Sequence, residues 1–552
     1  MKTTATTLFT LALATVTIGV PLATNPYAPV TGQCEANAES AVTTVNITDL
    51  LEQESEWLVG RKNVTDTAWE AYITNLGLVD LDTAAVAGGA PRIALAASGG
   101  GLRAMLSGAG VFTAFDAQVP ASIETKTGGI LQMSTYMGGL SGGSWLVSSL
   151  LANEMPPVNE WAKTYININT TVFYPGTNDI EAVANYKRFF TQINAKEAAG
   201  FDTNLVDLWA KGMAYQILNK IPSYGNDMLL SDFQTEGPFS SFEAPFPILV
   251  AASFRPGNSA FDYGDVFDWN PYHAGSYSPN ISAFIELSIV GTSYNNEELA
   301  SNDGCVTRFD NLQYTFATSS AAFALPDLSR TKTAVINQVL PDILNLTVTP
   351  EGAENFTVTR MPSFITDMEG PKPYFSELPD FYLGDGGLAS SGNLPLFSLL
   401  VPARGVDVAF ALDNSNDNGG YPNGNALLNS QLYSQKAGVP FPEIPTEAEF
   451  TSDTSLVKQV SFFGCDEPEV PTIVYVPNHE VVYPTNTSTF QFNYTETEID
   501  GFLANGPAMM SADPGFEDLP TCIGCLLTSF AGHTSVQCDD CLTKYCWRGA
   551  QA

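Results

Sequence analysis

The sequence predicts an α/β chain with a central mixed, largely parallel sheet flanked by helices and carrying a cap or insert region. Three observations lead there. Ser98-Gly99-Gly100-Gly101-Leu102-Arg103-Ala104-Met105 leaves an apolar strand-like run, Arg92 to Ala97, and enters helical apolar spacing. Gly139-Leu140-Ser141-Gly142-Gly143-Ser144-Trp145 does the same after Leu131 to Met137. Both read as strand–turn–helix units whose glycine turns share one edge of the sheet. Strand-like runs then return at Ile248 to Phe254, Val406 to Leu412 and Thr472 to Val476.

The remaining elements fit around these units. Ile47 to Tyr72 has helical spacing, with Thr48 or Asp49 as its cap, and would brace the sheet from outside. From 153 to 247 the strand–helix alternation breaks into aromatic, polar and proline-rich chain with helical pieces such as Asn204 to Leu218. That stretch reads either as an insert capping the site or as a plain helical subdomain.

The glycine turns carry chemistry. Gly139-x-Ser141-x-Gly143 places a serine in a tight elbow that only small neighbours permit, with its hydroxyl at a helix N-terminus, ready to attack. The triple glycine brings bare N–H groups toward a bound carbonyl, so Gly100 and Gly101 are the candidate oxyanion donors. Taken alone, Ser141 also fits an ordinary turn serine. A third element, Phe381-Tyr382-Leu383-Gly384-Asp385-Gly386-Gly387, sets an aspartate between glycines after an apolar run. Asp385 is therefore either a functional carboxylate at the sheet edge or part of a hairpin Asp-Gly turn.

Lys2 followed by the apolar run Leu8 to Val20 has the pattern of a secretory signal peptide, about residues 1–20, too short to span a bilayer. Sequons at Asn46, Asn63, Asn169, Asn280, Asn345, Asn355, Asn486 and Asn493 predict glycosylation in the secretory pathway. Cys34, Cys305, Cys465, Cys522, Cys525, Cys538, Cys541 and Cys546 make an even set concentrated in a tail at 520–552. Cys522-x-x-Cys525 and Cys538-x-x-Cys541 have zinc-ribbon spacing, whereas an oxidising compartment calls for disulfides. The end of the chain, Tyr545 to Ala552, has no hydrophobic tail of the kind a GPI anchor needs.

A net charge of −36 argues against nucleic acid as a partner and against anionic membrane surfaces near neutral pH. It fits a soluble glycoprotein surface, or work in an acidic medium. Asp413-x-Ser415-x-Asp417-x-Gly419 has a superficial likeness to a calcium loop, but Gly424 stands where the closing Glu belongs, so no metal or other cofactor is expected.

Ser-Gly-Gly-Gly-x-Arg-Ala-Met, Gly-Leu-Ser-Gly-Gly-Ser-Trp, Asp385-Gly-Gly with Asn393-Leu-Pro, and Arg404-Gly-Val-Asp407, in this order, resemble the catalytic domain of the cytosolic phospholipase A family. The likeness is closest to its secreted fungal branch, the phospholipase B or lysophospholipase enzymes, and Asp413-Asn414-Ser415 through Tyr421-Pro422-Asn423-Gly424 also fits that branch. The resemblance implies a patatin- or cytosolic-phospholipase-like fold, with residues 21–552 forming one catalytic domain. It implies Ser141 as nucleophile and Asp385 as base in a Ser–Asp dyad, Gly100 and Gly101 as oxyanion hole, and Arg103 on the substrate phosphate. Arg404 is a candidate for head-group or structural support, and a local ion pair is the alternative. The implied substrates are phospholipids and lysophospholipids at a membrane or micelle surface, with transacylation beside hydrolysis and no stable protein partner.

Of the three histidines, His273, His479 and His533, none lies in a glycine turn beside a strand, which favours a dyad over a triad; His533, in the cysteine-rich tail, reads as a surface residue. Two rival readings remain: a secreted serine esterase acting on neutral esters, and a catalytically silent surface glycoprotein.

Overall fold

A computed structural model describes residues 26–549 except 36–37, 80, 82–85, 88, 255–263, 297, 324–357, 372 and 416–419. The signal-like segment and the sequons at Asn345 and Asn355 fall outside the described residues.

Among these residues, one sheet holds twelve strands. In chain order they are β1 Val42–Thr44, β2 Ile93–Ala97, β3 Ser134–Leu140, β4 Phe246–Phe254, β5 Asp265–Trp269, β6 His273–Ser276, β7 Ala283–Glu286, β8 Thr359–Pro362, β9 Asp380–Asp385, β10 Val408–Asp413, β11 Ser461–Phe463 and β12 Thr472–Pro477. The main path runs β11-β12-β10-β2-β3-β4-β5-β6-β7-β1. Only its centre, β12-β10-β2-β3-β4, is parallel; antiparallel strands extend it on both sides. The composition follows the location. β2 reads Ile-Ala-Leu-Ala-Ala and is buried throughout, as expected of a parallel strand covered on both faces.

The helices used below are α1 Glu52–Leu76, α2 Gly101–Phe115, α3 Gly142–Ala152, α4 Asp179–Ala198, α5 Leu205–Ile217, α6 Leu312–Ser319, α7 Glu496–Ser511, α8 Leu519–Ser529 and α9 Val536–Tyr545. α2 is buried along its whole length because α3 and α7 pack against it. α5 begins as its sequence predicts: Asn204 and Asp207 form a reciprocal capping box. α1 starts later than expected, with Leu51 at its N-cap and no side-chain cap, because the Asp49 carboxylate accepts from the Asn46 amides instead. β3 begins at Ser134, not Leu131, since Ile130–Met133 forms a helical turn after Gly129, whose φ is 110°.

The cysteines are all paired: Cys34–Cys305, Cys465–Cys546, Cys522–Cys541 and Cys525–Cys538. The zinc-like spacing is thus that of two helices, α8 and α9, stapled in antiparallel order. His533 is 2 % exposed, so the expectation of a surface residue is corrected: the turn between α8 and α9 that carries it, with its amide on the Thr528 carbonyl, buries the ring.

The detail that matters for function lies on β4. Its first residues pair with β3, ending at Leu140 opposite Val250. From Ala251 to Phe254 the same edge is taken up by β9, running antiparallel, with Asp385 opposite Ala251. The other edge of β4 is occupied by β5 from Leu249 to Ser253. β3 and β9 therefore meet head to head, C-terminus to C-terminus, along one edge.

Candidate active site

Ser141 follows β3 and Asp385 closes β9, so the head-to-head junction sets them side by side. Ser141 Oγ donates to Asp385 Oδ2 at 2.9 Å, and Asp385 Oδ1 accepts from the Gly387 amide at 2.8 Å. Ser141 has φ 51° and ψ −122°, a left-handed conformation that costs a non-glycine residue on the order of 1–3 kcal/mol. Its amide is held by the Ser319 carbonyl, at the C-terminus of α6, at 3.0 Å, and Ser319 Oγ in turn donates to the Val250 carbonyl at 2.6 Å. Ser319 is the supporting residue that the sequence did not point to; it sits in an unremarkable Thr-Ser-Ser stretch.

Asp385 is 4 % exposed, and burial raises its carboxyl from 3.8 to about 6; the hydrogen bonds from Gly387 and Ser141 pull the other way. Among the described residues, no histidine is hydrogen-bonded to either residue. His479 sits between the Pro477 carbonyl and Asp513, and His273 is a buried ring whose pKa burial lowers to about 4.

The triple-glycine bend lies against the elbow. Gly100 and Gly101 have φ of 135° and 68°, and a Cβ on Gly101 would run into the Thr489 carbonyl, so glycine is required there. A Cβ on Gly142 would strike the Gly101 carbonyl, which puts the two turns in backbone contact. Among the described residues, neither the Gly100 nor the Gly101 amide has a hydrogen-bond acceptor, which leaves both N–H groups available. Asn393 holds the bend by donating Nδ2 to the Gly99 carbonyl at 3.0 Å.

Arg103 is fully buried. Its Nε and Nη2 donate to the Asn414 carbonyl at 3.2 and 2.9 Å, and Nη1 donates to the Thr487 carbonyl at 2.8 Å. The guanidinium fork thus ties the glycine bend to the loops after β10 and before α7. Arg404 is buried too, and it takes the ion-pair alternative. It meets Glu54 at 2.9 Å and Asp268 at 3.3 Å, donates to the Ser398 carbonyl, and lies outside the Ser141 site.

Above Ser141 opens an apolar cavity. Gly101 and Ser141 form its polar floor, and Trp145, Trp209, Phe323, Phe490 and Phe492 are among its apolar walls. Val172, Phe173, Tyr186, Phe189, Leu205 and Leu208 also line it, so the stretch at 153–247 contributes one whole side. Asp413, the first residue of the calcium-like loop, is occupied by the Ser415 amide and the Tyr475 hydroxyl; Asp417 and Gly419 lie outside the described residues.

Of the sequons, Asn46, Asn63, Asn169, Asn486 and Asn493 are exposed. Asn280 is half-buried, with its amide on both Asp265 carboxylate oxygens.

Residues 93–552 match the model of the lysophospholipase catalytic domain. A lysophospholipase of Arthroderma benhamiae is 32% identical over 96% of this chain and 87% of its own length, and lysophospholipase 2 of Candida albicans is 31% identical over 95% and 89%. The structure of human GIVD cytosolic phospholipase A2 superposes with a TM-score of 0.65 at 17% identity, covering 91% of this chain and 69% of that one, which shows the same mixed-sheet fold. A serine elbow, a facing carboxylate and a glycine bend at the floor of an apolar cavity accord with that match, and the chain belongs to the lysophospholipase family of carboxylic ester hydrolases.

Proposed function

We propose that this protein is a secreted lysophospholipase or phospholipase B that cleaves the fatty-acyl esters of glycerophospholipids and lysophospholipids through a Ser141–Asp385 dyad. The observation that carries the reading is the 2.9 Å hydrogen bond from Ser141 to Asp385 at the floor of the apolar cavity. The cavity receives the acyl chain and sets its ester carbonyl against Ser141. Ser141 Oγ attacks the carbonyl carbon as its proton passes to Asp385, and the Gly100 and Gly101 amides stabilise the oxyanion. Collapse breaks the ester C–O bond, the departing glycerol oxygen takes the proton from Asp385, and the acyl chain stays on Ser141. Water, giving its proton to Asp385, then attacks the acyl carbonyl; the Ser141 Oγ–acyl bond breaks, Asp385 returns the proton to Oγ and the fatty acid leaves, whereas a lysolipid hydroxyl in place of water gives transacylation. The chain at 153–247 acts as the cap of the site.

Secretion is supported by the apolar N-terminal run, four disulfides and the exposed sequons. No helix among the described residues is long and apolar enough to cross a membrane.

A fluorophosphonate probe tests the core of this reading: it labels Ser141 in the folded wild type and not in Ser141→Ala. Failure to label the wild type overturns it and returns the silent-glycoprotein reading. One observation favours hydrolysis of neutral esters as a second reading: Arg103 spends its nitrogens on carbonyls at Asn414 and Thr487. Comparing turnover of a lysophospholipid with that of a monoacylglycerol of the same chain separates the two.

A further inference from the structure

α1 carries two buried charges on one face, Glu54 and Arg61. They are treated differently. Glu54 is neutralised by Arg404. Arg61, fully buried, donates only to carbonyls, those of Ser134, Gln132 and Phe242, and no carboxylate of the described residues pairs with it. Four of its five N–H groups are used and one remains on Nη1. Burial without an anionic partner pulls its pKa down to about 9, whereas Arg404 beside two carboxylates is pulled up. A guanidinium left uncompensated inside a protein is costly, and an external anion relieves that cost.

The surroundings are built for such an anion. Arg61 borders a polar recess that also presents Lys62, Arg92, the hydroxyl residues Ser55, Thr65 and Thr135, and one lining carboxylate, Asp407. Asp407 is engaged by the Arg92 amide at 2.7 Å. The Arg92 side chain donates to the Arg404 carbonyl at 2.6 Å and has no ion-pair partner among the described residues. Lys62 reaches Asp66 at 2.6 Å, a pair exposed to solvent and therefore weak. With Lys62 shared with Asp66, and Arg61 and Arg92 facing the single lining carboxylate Asp407, the recess keeps an excess of positive charge in a chain whose net charge is −36. It lies at the opposite edge of the sheet from the ester site. Arg92 and Thr135 stand at the starts of β2 and β3, whose far ends lead to Gly100 and Ser141.

We propose that this recess is a second ligand site, binding a phosphate-bearing anion on the Arg92 guanidinium with the Lys62 ammonium at its rim and the buried charge of Arg61 behind it. The site is independent of the dyad assignment. Two sources share the required chemistry: free phosphate, and the glycerophosphodiester left when a phospholipid has lost its acyl chains.

Isothermal titration of the full chain with inorganic phosphate, and separately with a deacylated glycerophosphodiester, both at ionic strength held constant with chloride, tests this. Saturable binding of at least one is expected. Arg92→Gln should weaken it about tenfold, the loss of one charge-assisted contact, and Lys62→Gln by a smaller factor. Saturation by phosphate alone assigns the free ion and by the phosphodiester alone the head group, and either upholds the site. Ester hydrolysis and the near-UV spectrum of Arg92→Gln should match wild type, which keeps misfolding from mimicking the result. Absence of saturable binding by both probes, or undiminished binding in the two variants, overturns the proposal.

Discussion

Ser141 and Asp385 are hydrogen-bonded at 2.9 Å across 244 residues of chain because each lies where a strand on the same edge of β4 ends. Leu140 is opposite Val250 and Asp385 opposite Ala251, neighbouring positions of one strand. The sheet register, more than any loop, sets the distance, so the pair is held by the most rigid part of the molecule.

Asp385→Asn should lower kcat/KM by about 10²–10⁴, the usual contribution of a positioned proton acceptor. In the proposed role as base Asp385 works only when ionised, and burial raises its pKa from 3.8 to about 6. Initial-rate pH profiles should therefore show kcat/KM rising as pH climbs through about 6 and levelling above it. Stability moves the other way. Between 3.8 and about 6 the native state holds a proton at Asp385 that the unfolded chain has released, so this carboxyl's contribution to stability is present at low pH and lost as pH rises through about 6. Asp385→Asn should accordingly melt higher than wild type at pH 7; a lower melting temperature contradicts the direction of the shift.

Gly101→Ala tests the oxyanion bend. The added methyl meets the Thr489 carbonyl and the backbone there has φ 68°, so the bend must shift away from the Ser141 floor. A fall in kcat of about 10²–10³, with the global fold retained by circular dichroism, is the expected result.

Much of this site is legible in the sequence, and the reason is local. Ser141 and Asp385 are bracketed by glycines, of which Gly139, Gly143 and Gly386 have no room for a Cβ, and glycine spacing survives in one dimension. What is not legible is made of backbone atoms or distant partners. Arg103 binds carbonyls at Asn414 and Thr487, atoms every residue has, and Ser319 supports the elbow with a carbonyl of its own. The Cys522–Cys541 and Cys525–Cys538 pairing depends on α8 and α9 running antiparallel, which spacing alone does not fix. The strand over 134–140 was half visible, since the apolar run gives its presence but not the helical turn before it.

Arg404→Met should destabilise the protein by about 3–5 kcal/mol in urea titration, because Glu54 and Asp268 would be left buried without their cation. A loss below about 1 kcal/mol would mean that water or a rearrangement solvates them. The ester site lies elsewhere, so residual folded enzyme should keep its KM.

Leu208→Trp projects extra volume into the acyl cavity from α5, beside Trp209. Activity on long acyl chains should fall by about tenfold or more relative to short ones, with short-chain kcat/KM nearly unchanged. Equal loss on every chain length would place the acyl chain somewhere other than this cavity.

Arg103→Gln decides between two roles for one side chain. The resemblance implies contact with the substrate phosphate, whereas the geometry has the fork on the Asn414 and Thr487 carbonyls, beside the position a Gly100 Cβ would take. As a clamp on the glycine bend, Arg103 acts on the oxyanion and not on the head group. Its replacement should then reduce kcat by a similar factor, on the order of 10²-fold as for a lost oxyanion donor, on a lysophospholipid and on a monoacylglycerol of equal chain, with KM little changed for both. A loss confined to the phosphate-bearing substrate, carried in KM, would show that the Thr487 carbonyl yields its place to the phosphate.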